Sequence, residues 1–280
     1  MARADGAPFR GPHLFLFPFR WLAYIPAAMW PLRSSAHAPL IMALALLATG
    51  CAGPRTAHRP TALRISYAYA FLALRAERVQ GEDLQRARAL RKRAGRHYMR
   101  ALEQGLARLE RRHPGFTAQL SRNPGEAVAV TTLVDVPLLY WTGAALGTAI
   151  SVFKDRPEML IRLPEIGALA FRVTELQPGY LDGAAYELLM LYEAGRPAMM
   201  GGSLALAKHY YERALTYSQG NSVSLFVGYG ESISVQEQDR ETFVRMLERA
   251  LEVKAGGVAN RLARRRARWL LQRADDLFIL

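Results

Sequence analysis

One small–large–small stripe recurs along this chain and points to a stack of helical hairpins. Between Pro197 and Gly220, the glycine pair Gly201 and Gly202 precedes Ser203, whose hydroxyl can accept from an otherwise unpaired N–H and start a helix. Within that helix Ala207, Tyr211 and Ala214 lie four and three apart, on one face. The two alanines let a neighbouring helix approach closely, and the tyrosine fills the space between them. Ala94, Tyr98 and Ala101 repeat the stripe. Phe243, Leu247 and Ala250 give a looser copy, as do Ile166, Ala170 and Val173 ahead of Pro178. The copies start at 94, 166, 207 and 243, so the intervals are 72, 41 and 36 residues and the array carries insertions.

A stripe of this form marks the second helix of a tetratricopeptide (TPR) hairpin, whose period is roughly 34 residues. The expected fold is therefore all-α: a TPR-like array of antiparallel helical hairpins, an α-solenoid, with a C-terminal capping helix. Helices are expected at 62–79, 82–112, 125–132, 136–153, 156–175, 180–194, 203–217, 222–235, 239–252 and 258–278. Proline and glycine breakers separate them, as at Pro114-Gly115, Pro124-Gly125, Pro178-Gly179 and Gly256-Gly257. No segment sustains the period-two alternation of a strand.

The single cysteine excludes an intramolecular disulfide and a cysteine-based metal site. Cys51 ends the run PLIMALALLATGC, which resembles a bacterial lipoprotein signal whose cysteine becomes the lipid-modified first residue. Residues 1–50 read as a signal peptide, 51–62 as a lipidated polar tether and 63–280 as the helical domain. Met29 to Gly50 already forms a complete signal, so residues 1–28 read as a mis-assigned upstream start or a long n-region. The aspartate that commonly retains such proteins in the inner membrane is absent after Cys51, where Ala52 stands. The outer membrane, periplasmic face, is the expected address.

Leaving out the four basic residues and one acidic residue before Cys51, 33 basic and 23 acidic residues remain, a formal charge of +10. Arginines crowd 86–112 and 261–273. Such a balance can mark nucleic-acid binding, but an exported lipoprotein meets little nucleic acid and no stacking motif lies among these arginines. Solvated helix faces are the first reading, and a surface near lipid phosphates is the second. No histidine pair has metal-ligand spacing, and no G-x-S-x-G or H-E-x-x-H occurs, so the residues argue for neither a metal, a cofactor nor an enzyme.

Three blocks carry a family resemblance. Thr132 to Phe153, TLVDVPLLYWTGAALGTAISVF, contains Tyr140 and Trp141. Gly201-Gly202 leads into LAKHYYERAL. The C-terminal VANRLARRRARWLLQRADDLF carries Asn260 and an A-x-x-R-A-x-x-L-L pattern at Ala263, Arg266, Ala267, Leu270 and Leu271. In this order they resemble the T-component (TatT) family of TRAP transporters, the tripartite ATP-independent periplasmic uptake systems. The arginine-rich 86–112 segment and the N-terminal extension depart from that pattern. The resemblance implies a periplasmic TPR-like lipoprotein that assembles as a homotrimer, docks a substrate-binding P-component and passes a hydrophobic ligand through an internal channel.

Counting along the first helix of each hairpin, with Gly147, Gly183 and Gly228 taken as its central small residue, gives a concave lining. It comprises Ala144, Thr148 and Ser151; Tyr180, Ala184, Glu187 and Leu188; and Leu225, Tyr229 and Ser232. Such a lining suits an apolar or amphipathic ligand. The alternative is that these residues pack between hairpins, in a structural lipoprotein that scaffolds an envelope complex and binds no small molecule. Tyr140 and Trp141 read as core aromatics, and Asn260 reads as a partner for buried backbone groups.

Overall fold

The structure, a computed structural model, describes residues 59–278. The expected signal peptide, the start at Met29 and most of the tether with Cys51 lie outside the described residues. Within them the chain is helical throughout, with no strand.

Helix α1 (Arg59–Tyr67) continues through a π turn (Ala68–Ala73) into α2 (Leu74–Arg78), and this arm packs on α3 (Leu84–Arg112). Asp83 starts α3 by accepting from the Arg86 N–H at 2.8 Å. Two short helices, α4 (Phe116–Arg122) and α5 (Pro124–Ala129), lead to α6 (Val136–Val152), which packs between α3 and α7 (Leu163–Leu176). The remaining hairpins pair α8 (Ala184–Gly195) with α9 (Leu204–Ser218), then α10 (Val223–Tyr229) with α11 (Arg240–Glu252). A second π turn, Gly230–Ser234, extends the α10 arm. The capping helix α12 (Val258–Leu271) closes against α10 and α11.

All four stripes are buried. Ala94, Tyr98 and Ala101 lie in α3, Ile166, Ala170 and Val173 in α7, Ala207, Tyr211 and Ala214 in α9, and Phe243, Leu247 and Ala250 in α11. Each helix therefore presents its small residues where a neighbour must come close. The stretch Leu133–Val152, which ends in α6, has the length and apolar character to cross a bilayer, yet 83% of it is buried among its neighbours, which makes α6 the central helix of the core.

The helix boundaries differ from expectation at several places; α12, expected to run to 278, ends at Leu271, and α5, expected to run to 132, ends at Ala129. Helix α8 begins at Ala184, not at 180, because Leu181 and Asp182 both take positive φ (47° and 53°) and Gly183 follows at 83°. A Cβ on Gly183 would also lie 2.7 Å from the Tyr217 Cβ, so only glycine fits this turn. Gly183 thus caps the helix instead of sitting in its middle, and Tyr180 lies in the preceding turn. The expected helix 156–175 is broken after Leu160, and Pro164, which has no N–H to leave unpaired, sits in the first turn of α7. Helix α4 was absent from the sequence reading because its start is held from elsewhere: the Glu110 carboxylate accepts from the Gly115 and Thr117 N–H groups at 2.7 and 2.8 Å.

Candidate interior site and surface groove

The buried positions of α12 are Ala259, Asn260, Ala263, Arg266, Ala267 and Leu270. An arginine on such a stripe needs carboxylates beside it. Arg266 has two: its Nε lies 3.1 Å from Glu231 in the second π turn, and its guanidinium also pairs with Glu77 in α2. One side chain thereby ties the cap to the first arm of the array. Burial pushes the Glu231 carboxyl up to about 8 and the Arg266 guanidinium down to about 10. Burial disfavours the charged form of each, and the contacts of Arg266 with Glu231 and Glu77 are what oppose it.

Tyr69 joins this cluster from the first π turn. Burial raises its phenol, and the charges of Arg266, Glu231 and Glu187 all act on it. Glu187 accepts from Ser222 at 3.3 Å, and Ser222 lies 3.1 Å from Ser224. The first arm, α8, the α10 arm and the cap thus converge on one buried polar interior. Of the residues the sequence reading assigned to the lining, Glu187 is the one placed there.

The others are distributed through the packing. Ala144 and Thr148 are buried in α6, where the Thr148 hydroxyl donates to the Ala144 and Ala145 carbonyls at 3.0 and 2.9 Å. Ser151 donates to Thr148 O at 2.8 Å and is partly exposed. Tyr180 packs edge-on against Tyr140 with ring centres 5.5 Å apart. Ala184, Leu188 and Leu225 are buried, and the Ser232 hydroxyl donates to its own helix at Gly228 O. Tyr229 packs on Tyr211 of α9 at 4.6 Å.

The residues of the family-like blocks have clear local roles. Tyr140 and Trp141 are buried and meet edge to face at 5.3 Å. Gly201 takes φ 82° at the end of the Ala198–Met200 turn. A Cβ on Gly202 would stand 2.0 Å from the Arg196 carbonyl oxygen, so no side chain fits there. Ser203 accepts from the Leu206 N–H at 3.2 Å, as its position suggested. Asn260 accepts from the Val223 N–H at 3.3 Å and donates to the carbonyls of Asn221, Ala255 and Gly256 at 3.1–3.2 Å. It fastens the cap helix to the start of α10.

The sequence reading missed Tyr69, Glu77 and Glu231. Their signal was Arg266 itself, a cation at a core position of an alanine-rich stripe. It also missed an open groove of about 310 Å³ between α7, α8 and α9, lined by Pro164, Gly167, Ala168, Phe171, Leu189, Tyr192, Glu193, Arg196 and Tyr210. Its polar end is fixed, because Arg196 stacks on the Tyr192 ring at 4.0 Å and donates to both Glu193 oxygens at 2.7 Å. Phe171 is half exposed, and Met199, Met200 and Leu206 expose further apolar surface in the segment after Arg196. Among the described residues no group of His, Cys, Asp and Glu has the arrangement of a metal site.

A stacked helical array with a tied interior and an open groove of mixed apolar and polar lining is the build of an interaction module, since such stacks offer extended surfaces to partners. The profile of the TRAP transporter T-component family matches residues 37–278, and the chain belongs to that family. It is also similar to an uncharacterized protein of Treponema pallidum (strain Nichols), 25% identical over 226 residues, which cover 78% of this chain and 70% of that protein.

Proposed function

We propose that this T-component is a non-enzymatic periplasmic accessory, lipid-anchored at Cys51 to the outer membrane. In this reading it docks the substrate-binding P-component of its transporter and passes a hydrophobic ligand along its interior. The observation that carries the proposal is the family match, which runs from before Cys51 to Phe278. The fold is compatible with it: helices from four parts of the chain meet at one buried polar cluster formed by Arg266, Glu231, Tyr69 and Glu187. The groove beside Phe171 and the exposed Met199 offer a surface for a protein partner. Assembly as a trimer belongs to the same reading.

The burial of Ala144, Leu188 and Leu225 favours a second reading, a scaffold that binds no small molecule. Binding of a fluorescent fatty-acid analogue separates the two. Passage predicts that the parent binds the probe, and that Ser224→Phe, which adds bulk beside Glu187, abolishes binding with little change in melting temperature. A scaffold predicts no probe binding by the parent, and in that variant only overpacking that costs about 1–3 kcal/mol.

A further inference from the structure

The arginines of α3 and α12 have different surroundings. On α12, Arg266 is buried in its ion cluster and Arg264 donates to the Val253 and Ala255 carbonyls, and just beyond its end Arg273 pairs with Asp276. On α3, positions 84–102 hold seven cations and no carboxylate. Among the described residues Arg93, Arg96 and Arg100 make no ion pair, and all three are exposed. They form one cluster with Arg64 of α1, because all four act on the half-buried His97. Burial and these four charges together lower its pKa.

Aromatic side chains enter the same patch from the neighbouring arm, which spacing alone did not reveal. The Tyr67 ring lies 5.3 Å from His97 and 5.4 Å from Phe71, and Phe71 is 48% exposed. Arginines around an exposed aromatic pair match the membrane–water interface, where rings sit at headgroup depth and cations meet phosphates. An acidic protein would use the cations but gives no reason for an uncovered phenylalanine, and a nucleic acid, which could stack bases on the rings, is what the heparin comparison below tests for. Position agrees. Eight chain steps separate Cys51 from Arg59, and an extended chain covers at most about 28 Å over that length. A lipid on Cys51 would therefore keep this hairpin near the bilayer.

We propose that the face formed by Arg64, Arg93, Arg96 and Arg100 around Tyr67 and Phe71 rests on the anionic phospholipid surface of the membrane. It orients the array above the bilayer and leaves the α7–α9 groove free for a protein partner. The proposal is compatible with the anchor at Cys51, but its test omits that residue, so the two fail separately.

The helical domain, residues 59–280, is mixed with phosphatidylcholine vesicles with and without phosphatidylglycerol, and binding is read by flotation, with a thermal melt confirming that each variant is folded. The expected result is binding to the anionic vesicles alone, weakened by salt. Arg93→Gln, Arg96→Gln and Arg100→Gln together should weaken it about a hundredfold, at about fivefold per arginine. Phe71→Ser should weaken it several-fold. Neutralising the equally exposed Arg261, Arg265 and Arg268 should leave it within about twofold. Equal binding to neutral vesicles, no binding by the parent, or equal loss from the α12 triple variant would overturn the proposal. Heparin binding as tight as vesicle binding and indifferent to Phe71→Ser would assign the face to a soluble polyanion and overturn it as well.

Discussion

At the scale of single residues, Arg266 and Asn260 do more than their neighbours because each satisfies groups from distant parts of the chain. Removing Arg266 leaves Glu77 and Glu231 buried without a counter-charge. Arg266→Ala should therefore lower unfolding free energy by about 3–5 kcal/mol in urea titrations. Replacing the whole cluster with apolar residues (Arg266→Met, Glu77→Leu, Glu231→Leu) should recover most of that loss, because the cost comes from the unpaired charges. If the triple variant is no more stable than Arg266→Ala, the cluster stabilises the fold in some other way. Asn260→Ala should cost about 1–3 kcal/mol, since it strands the Val223 N–H and the carbonyls it served. Asn260 was legible in advance because an asparagine at a helix start has backbone groups within reach. Glu77 was not legible, because 189 positions separate it from Arg266 and nothing local marks it as buried.

At the scale of elements, periodicity carried most of the information. The four stripes were readable because three-and-four spacing is a local property, and burial then followed from stacking. Ala207→Leu tests that register: overpacking against the neighbouring helix should lower stability by about 1–3 kcal/mol, read as a lower melting temperature. The boundaries that escaped depended on contacts the sequence does not display. Helix α4 is capped by Glu110 from the preceding helix, and the start of α8 is set by two non-glycine residues at positive φ. The join between α3 and α6 gives a pH prediction. Asp135 is buried, which works against its charge, but the Thr132 N–H, Arg112 and His113 together hold its carboxyl below the usual range. Its folded pKa is thus lower than its unfolded one. Its contribution is present above the ordinary carboxylate pKa and is lost as pH falls through the folded value. Asp135→Asn should flatten the acid side of a plot of melting temperature against pH; an unchanged acid limb would show that this carboxylate does not couple the two helices.

At the scale of the whole molecule, the hairpins stack so that the cap returns to the first arm, which creates the buried polar interior, while the packing of α7, α8 and α9 creates the groove. Neither could be read from spacing. The concave lining was counted as if every first helix shared one register, and Gly183 broke that assumption by capping α8. The groove draws on three helices between Pro164 and Tyr210, so it exists only once α7, α8 and α9 are packed. Its exposed rim at Phe171 and the neighbouring Met199 and Leu206 is the surface assigned here to the P-component. The most direct measurement is calorimetric titration of the helical domain with the substrate-binding P-component of its own transporter. The account predicts saturable binding, weakened about tenfold or more by Phe171→Asp or by Met199→Asp with Leu206→Asp, and unchanged by neutralising Arg93, Arg96 and Arg100. Absence of saturable binding, or binding indifferent to the groove variants and lost with the arginines, would contradict it.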